Sequence, residues 1–191
     1  MTLHSGERQV AETAKGVRAD HVARYVFAAA ALPAGSRIAD IGCGTGYGCK
    51  ILADAGHSVI GLDNDAETLE FAKAHYAADG IEYLQRDLSG WPKLGRTFDA
   101  AVCFETIEHL TDPKPMLRKI GCRRLLASVP NQSVYPFAGQ KFHHRHYTMT
   151  EFMALLNACG WGVIGWYSQA DTKADVKPGH NGWTLIADCV R

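Results

Sequence analysis

Apolar residues along this chain change their spacing repeatedly, from one in every three or four positions to short continuous runs and back. Arg18 to Ala31 puts Val22, Tyr25, Val26 and Ala29 at helical spacing, and Pro33-Ala34-Gly35 then stops it. Arg37–Ile41 is a short β-rich run, and the glycine-rich stretch behind it leads into a helix ending at Gly56. Ser58–Leu62 predicts a second strand, followed by a helix over Ala66 to Tyr76 with Asp65 as its N-cap. Ile81–Gln85 and Phe98–Phe104 predict strands three and four, the latter a nearly continuous apolar run of the kind buried on both faces. A short helix over Pro113–Ile120, a strand at Leu125–Val129, a helix from Thr150 to Ala158 and strands at Gly162–Tyr167 and Trp183–Val190 complete the series. Such alternation implies an α/β fold with a mostly parallel sheet and right-handed crossovers.

Two connections, Pro130–Met149 and Ser168–Gly182, carry little periodicity, and loops of that length inside one domain are usually functional. In an open α/β sheet the ligand lies beyond the carboxyl ends of the parallel strands. Both loops leave from such ends, as do the glycine loop, Asp63, Asp87 and Glu105–His109, so one sheet edge gathers the polar clusters. The length, 191 residues, suits a single domain over residues 1–191. Twenty basic and twenty acidic residues cancel to a net charge of zero, which argues against long nucleic acid as a partner. The six cysteines form no C-x-x-C pair and read as reduced thiols of a cytoplasmic protein. The longest apolar stretch, Tyr25 to Pro33, is too short to span a membrane.

Asp40-Ile41-Gly42-Cys43-Gly44-Thr45-Gly46-Tyr47-Gly48 follows a strand and opens a helix, the setting in which a nucleotide-type ligand approaches bare backbone. The dinucleotide pattern G-x-G-x-x-G fails, because its last position falls on Tyr47 or Cys49. An acid at Asp40 also suits a cationic ligand better than a pyrophosphate. Asp63, about 20 residues beyond the glycines, stands where a carboxylate accepts ribose hydroxyls. A tight turn without ligand is the competing reading of the loop.

The D-x-G-x-G-x-G pattern resembles motif I of class I S-adenosylmethionine-dependent methyltransferases. Gly6-Glu7-Arg8, Ala23 to Ala28, Phe104 to Leu110, and Val129-Pro130-Asn131 with His146 and Glu151-Phe152 resemble landmarks of a bacterial subgroup, many of whose members lie in surface-polysaccharide pathways. The resemblance implies a Rossmann-like, doubly wound, mostly parallel seven-stranded sheet with an antiparallel last strand. It implies S-adenosyl-L-methionine as cofactor and S-adenosyl-L-homocysteine as product, held by Asp40, Gly42, Cys43, Gly44, Gly46, Tyr47, Asp63, Asn64, Asp87, Leu88 and Phe104. Tyr25, Tyr47 and Tyr147 are candidate walls of the donor pocket. The chain departs from the family before strand five, where Leu117 leads through Gly121-Cys122 to Arg124 almost at once, so the packing behind that strand is open to question.

Glu105, Glu108 and His109 have i, i+3, i+4 spacing, so one helical turn would put three ligand-type side chains on one face. They read as a catalytic cluster, or, with His146, as a divalent-metal site of the kind held by Glu-x-x-Glu-His in ubiquinone-pathway O-methyltransferases. Of the histidines in Phe142–Tyr147, His146 is expected to face the pocket as a general base beside His109 and Glu105, while His143 and His144 read as a solvated basic loop. Asn/Asp-Pro-Pro-aromatic is absent after strand four, where Phe104-Glu105-Thr106-Ile107 stands, and no Pro-Cys nucleophile is present. A hydroxyl of a small-molecule or glycan-type acceptor is therefore the expected methyl acceptor, by a metal-free reaction. The competing reading is a non-catalytic sensor of the cofactor or its product.

Overall fold

The computed structural model describes residue 3 and residues 8–89, 97–172 and 175–191, so Gly6 and Glu7 of the amino-terminal motif lie outside the described residues. Helix α1 (Ala19–Ala31) precedes β1 (Arg37–Ile41), α2 (Tyr47–Asp54), β2 (Ser58–Asp63), α3 (Ala66–Tyr76) and β3 (Ile81–Gln85). The second half runs β4 (Ala100–Phe104), α4 (Lys114–Lys119), β5 (Arg124–Pro130), α5 (Met149–Ala158), β6 (Gly162–Gln169), β7 (Lys177–Pro178) and β8 (Thr184–Val190). Their order in one sheet is β3-β2-β1-β4-β5-β8-β6-β7. β1 to β5 are parallel to one another, and β8 lies antiparallel between β5 and β6.

Among the described residues the sheet thus has eight strands rather than the expected seven. The extra one is β7, two residues that pair with Tyr167 and Ser168 of β6. A two-residue edge strand containing a proline has no apolar run for periodicity to register. The antiparallel last strand is as expected. β8 begins one residue after Trp183, which stays in the preceding loop with 45% of its surface exposed.

Local chemistry sets the helix starts. Asp65 accepts from the Thr68 N–H at 2.8 Å and caps α3, and Thr148 and Glu151 form a reciprocal capping box that starts α5 at Met149. Tyr25, Ala28, Leu52 and Leu69 fill the core on one face of the sheet; Met116, Leu117, Phe152 and Leu156 fill it on the other. The shortened stretch before β5 is closed by two side chains from elsewhere in the chain. The Trp161 indole N–H donates to the Leu117 carbonyl at 2.9 Å, and Arg191 donates to the carbonyls of Leu117 and Ile120 while lying 3.9 Å over the Trp161 ring. The terminal carbonyls of a six-residue helix are satisfied in this way without a longer helix. Among the described residues no helix is long and apolar enough to cross a membrane.

Trp161 is fully buried and supplies both packing and that hydrogen bond. Trp161→Ala is expected to lower unfolding stability by about 3–5 kcal/mol, read as an earlier midpoint in a denaturant titration.

Candidate active site

β1 and β4 are neighbours whose following helices go to opposite faces, and the crevice between their carboxyl ends is the switch point of the sheet. The glycine loop enters it from one side and Glu105–His109 from the other. Gly42, with φ +75°, lies so close to Thr106 that an added Cβ would collide with its side chain. Gly44, with φ +53°, has only open space where a Cβ would point. One face of the loop is therefore closed by protein, while the other opens into a cavity of about 920 Å³.

Cys43, Gly44, Tyr47, Asp63, Asn64 and Asp87 line that cavity, as do Gly42, Leu88 and Phe104. Asp40 and Gly46, also expected to bind the cofactor, are not among the residues that line it. Asp40 is fully buried and accepts from the Tyr25 hydroxyl at 3.0 Å and from the Cys49 thiol at 3.2 Å. Burial pushes its carboxyl up to about 7, the two hydrogen bonds offsetting only part of that cost. Asp40 therefore anchors α1 and α2 beneath the loop and does not reach the cavity. Gly46, at φ +91°, is the N-cap of α2, and its missing side chain leaves room for Tyr83 and Ala72. Tyr147 packs on Phe152 and also stays out of the cavity, so of the three tyrosines Tyr25 and Tyr47 form its wall.

Asp63 is tied down from three directions. Its carboxylate accepts from the Gly44 N–H at 3.1 Å, the Asp65 N–H at 3.1 Å and the Arg8 guanidinium at 3.0 Å. Arg8 belongs to a segment that crosses the glycine loop. There the Thr45 hydroxyl donates to the Gln9 carbonyl at 2.8 Å, and the Tyr76 hydroxyl donates to that of Ala11 at 2.6 Å. Arg8 stood in the sequence only as part of a family landmark, because nothing local tells that it reaches 55 residues along the chain.

At the other end of the cavity the expected helical turn is a 3-10 turn, Ile107–His109. Glu105 precedes it at φ +48°, among the described residues the only non-glycine position with positive φ. Ser128 of β5 holds it there: its hydroxyl donates to the Glu105 carboxylate at 2.7 Å, and both its carbonyl and its hydroxyl oxygen accept from the Glu105 N–H. Glu105 therefore lines the cavity without joining Glu108 and His109.

The long loop after β5 folds back onto this turn. The His144 N–H donates to the Glu108 carbonyl at 2.8 Å, and His109 Nδ1 donates to the Phe142 carbonyl at 2.8 Å. The roles expected of the histidines are exchanged. His143 lines the cavity, whereas His146 is 4% exposed and sits behind it. His146 Nδ1 donates to the Tyr135 carbonyl at 2.7 Å, so in the neutral ring its Nε2 is an acceptor, 2.8 Å from His143 Nδ1. Burial holds His146 below the usual histidine range and keeps it in that neutral form. His143 Nδ1 must then carry the proton of that bond, as His109 Nδ1 does toward Phe142. One carboxylate oxygen of Glu108 and one nitrogen from each of His109 and His143 lie within 4.8 Å of one another, a group able to accept a proton or hold a cation. His143 replaces the expected His146, and Glu105 is not part of it.

On the α1 wall, Arg24 is buried and donates to Gln169 at 2.7 Å, with Asp20 at 3.5 Å. His21 faces Tyr47 at 3.0 Å, and burial, reinforced by Arg24, lowers it to about 3, so it stays neutral.

A raised carboxyl favours the folded state only while protonated. The contribution from Asp40 is fully present below about pH 4 and is lost as the pH rises through about 7. In ligand-free protein Asp40→Asn should flatten this decline between pH 4 and 7, measured by denaturant titrations across that range; an unaltered slope would show that Asp40 does not titrate there.

Comparison with known proteins agrees with this geometry. The family described as "Methyltransferase domain" matches residues 38–127, from β1 into β5. A Mycolicibacterium smegmatis protein named "Probable S-adenosylmethionine-dependent methyltransferase" is 31% identical over 141 residues, 68% of this chain and 53% of its own length. A Klebsiella pneumoniae ubiquinone biosynthesis O-methyltransferase is 35% identical over 95 residues, 48% of this chain and 38% of its own. The chain thus spans about half or less of the curated relatives it matches. The solved S-adenosylmethionine dependent methyltransferase of Mesorhizobium loti superposes with a TM-score of 0.70 at 18% identity, covering 87% of this chain and 95% of that one. Glycine loop, strand order and matched domain coincide: residues 38–127 carry a methyltransferase domain, on a fold shared with solved S-adenosylmethionine-dependent methyltransferases.

Proposed function

We propose that this chain transfers the methyl group of S-adenosylmethionine to a hydroxyl oxygen of a small or carrier-linked acceptor, glycan-type molecules included, in the cytoplasm. The observation that carries the reading is one continuous cavity with a nucleotide-type cradle at one end and the group of Glu108, His109 and His143 at the other. The match to ubiquinone biosynthesis O-methyltransferases supports oxygen as the acceptor atom.

The cradle fits the donor. Gly44 leaves open space for close approach, Asp63 offers a carboxylate to the ribose hydroxyls, and Asn64, Asp87, Leu88 and Phe104 surround the place of the base. Bound S-adenosylmethionine supplies a sulfonium methyl that the acceptor oxygen attacks in line, the C–S electron pair remaining on sulfur. The donor being reactive, alignment of the two ends of the cavity accounts for most of the acceleration. His143 Nε2 or His109 Nε2 takes the hydroxyl proton, which adds about 10²–10⁴-fold. The charge formed on His143 is shared through Nδ1–H with His146 Nε2.

A carboxylate has about four acceptor sites, and three of those on Asp63 are used, two by backbone N–H groups and one by Arg8. Two ribose hydroxyls need two. Arg8 is the donor able to yield, so cofactor binding displaces it from Asp63.

A second reading rests on the grouping of Glu108, His109 and His143. One carboxylate and two imidazoles at this spacing fit a divalent ion such as Mn²⁺, which would lower the pKa of a bound acceptor hydroxyl.

Calorimetry with S-adenosylmethionine and S-adenosylhomocysteine tests the cofactor site, and lack of affinity for both would overturn the proposal. Asp63→Ala should weaken S-adenosylhomocysteine by roughly 10- to 100-fold through loss of charge-assisted hydrogen bonds, with the melting profile unchanged. Arg8→Ala should act in the opposite direction and tighten it.

His143→Ala is expected to cut turnover of labelled donor by about 10²–10⁴-fold while leaving S-adenosylhomocysteine affinity intact. Activity that survives chelator keeps His143 and His109 as bases; activity abolished by chelator and restored by Mn²⁺ makes the same three residues a metal centre. Tight cofactor binding with no turnover on any hydroxyl acceptor would mark a sensor instead.

A further inference from the structure

Seven large hydrophobic side chains are exposed among the described residues, and four of them, Val134, Tyr135, Phe137 and Trp183, come from the two loops that flank the acceptor end of the cavity. Tyr135 and Trp183 line it directly. Their rings are parallel to within 7° with centroids 5.4 Å apart. Tyr135 also lies 5.1 Å from the His146 ring, and His146 lies 5.0 Å from His143. A ladder of four rings in contact therefore runs from His143 to Trp183, 45% of whose surface is exposed.

The ladder is held by backbone bonds. The Asn131 side chain donates to the carbonyls of His180 and Gly182, its N–H donates to the Trp183 carbonyl at 2.8 Å, and its own carbonyl accepts from the Tyr135 N–H at 2.7 Å. Asn131 is 1% exposed and fixes both aromatic residues from one point. A rigid, partly wet aromatic surface continuous with a reaction cavity is a prepaid stacking site.

We infer that the open face of Trp183 is an acceptor subsite that stacks a flat aromatic ring carrying the hydroxyl to be methylated. This rests on the proposed hydroxyl acceptor and narrows it to phenols. The transfer then balances: the phenol oxygen gains the methyl carbon, its proton passes to a histidine nitrogen, and the sulfur keeps the C–S pair.

The test uses 2-naphthol and its saturated counterpart 2-decalol, with methyl glucoside as a sugar, titrated calorimetrically into protein saturated with S-adenosylhomocysteine. The expected result is binding of 2-naphthol in preference to the other two, weakened about tenfold by Trp183→Ala and largely restored in Trp183→Phe, with S-adenosylhomocysteine affinity the same in all three proteins. Equal binding of 2-decalol or methyl glucoside, absence of 2-naphthol binding to the wild type, or no effect of Trp183→Ala would overturn the subsite. Should S-adenosylhomocysteine itself fail to bind, the methyltransfer proposal falls, while the 2-naphthol titration of cofactor-free wild type and Trp183→Ala still decides the ring site.

Discussion

Everything in this molecule is arranged around one crevice, opened where β1 and β4 pair while their crossovers leave toward opposite faces of the sheet. No helix can cover that line, so backbone from the two strand ends meets there with polar groups still to satisfy. The glycine loop does so by bonding to the end of β2: the N–H groups of Gly42 and Cys43 reach the Leu62 carbonyl, and that of Gly44 reaches Asp63. The buried Asp40 completes the arrangement from below, binding α1 through Tyr25 and α2 through Cys49. The missing Gly48 side chain lets the Tyr25 ring press against α2. Cofactor cradle and hydrophobic core are in this sense one construction.

The acceptor end obeys the same economy with a different device. A left-handed Glu105, costly for a side-chain-bearing residue, is stabilised by the hydrogen bonds to Ser128 and turns the chain so that Glu108 and His109 face the returning histidine loop. That loop carries few buried apolar contacts of its own and is held by hydrogen bonds to the carbonyls of Glu108, Phe142 and Tyr135. Those bonds fix which ring nitrogens carry the protons.

Charge is handled by local pairing. Asp20 on α1 pairs with Arg18 at 2.7 Å and with Arg24 at 3.5 Å, and Gln169 of β6 bonds to both the Arg24 guanidinium and the Asp20 carbonyl. This holds the wall helix to the far strand of the sheet. Arg8 and Asp63 form the corresponding pair across the cradle. Both pairs lie on segments that border the cavity.

The sequence by itself determined the layer order, the strand that carries the glycine loop and the acids that follow β2 and β3, because these depend on short-range periodicity and turn chemistry. Asp65 as the cap of α3 and Ile81–Gln85 as β3 were legible for that reason. It could not show β7, which has no apolar pattern, nor the role of Arg191 and Trp161 in closing the shortened stretch before β5, since those contacts join residues tens of positions apart. Tertiary structure alone decided which histidine faces the cavity. His143 and His146 are three residues apart in a loop without a period, so no spacing rule orients them; the carbonyl of Tyr135 takes one ring inward and leaves the other at the site. In the same way Asp40 and Asp63 are equally acidic in sequence, but one is sealed beneath two helices and the other opens to the cavity, a difference made by packing that local chemistry does not encode.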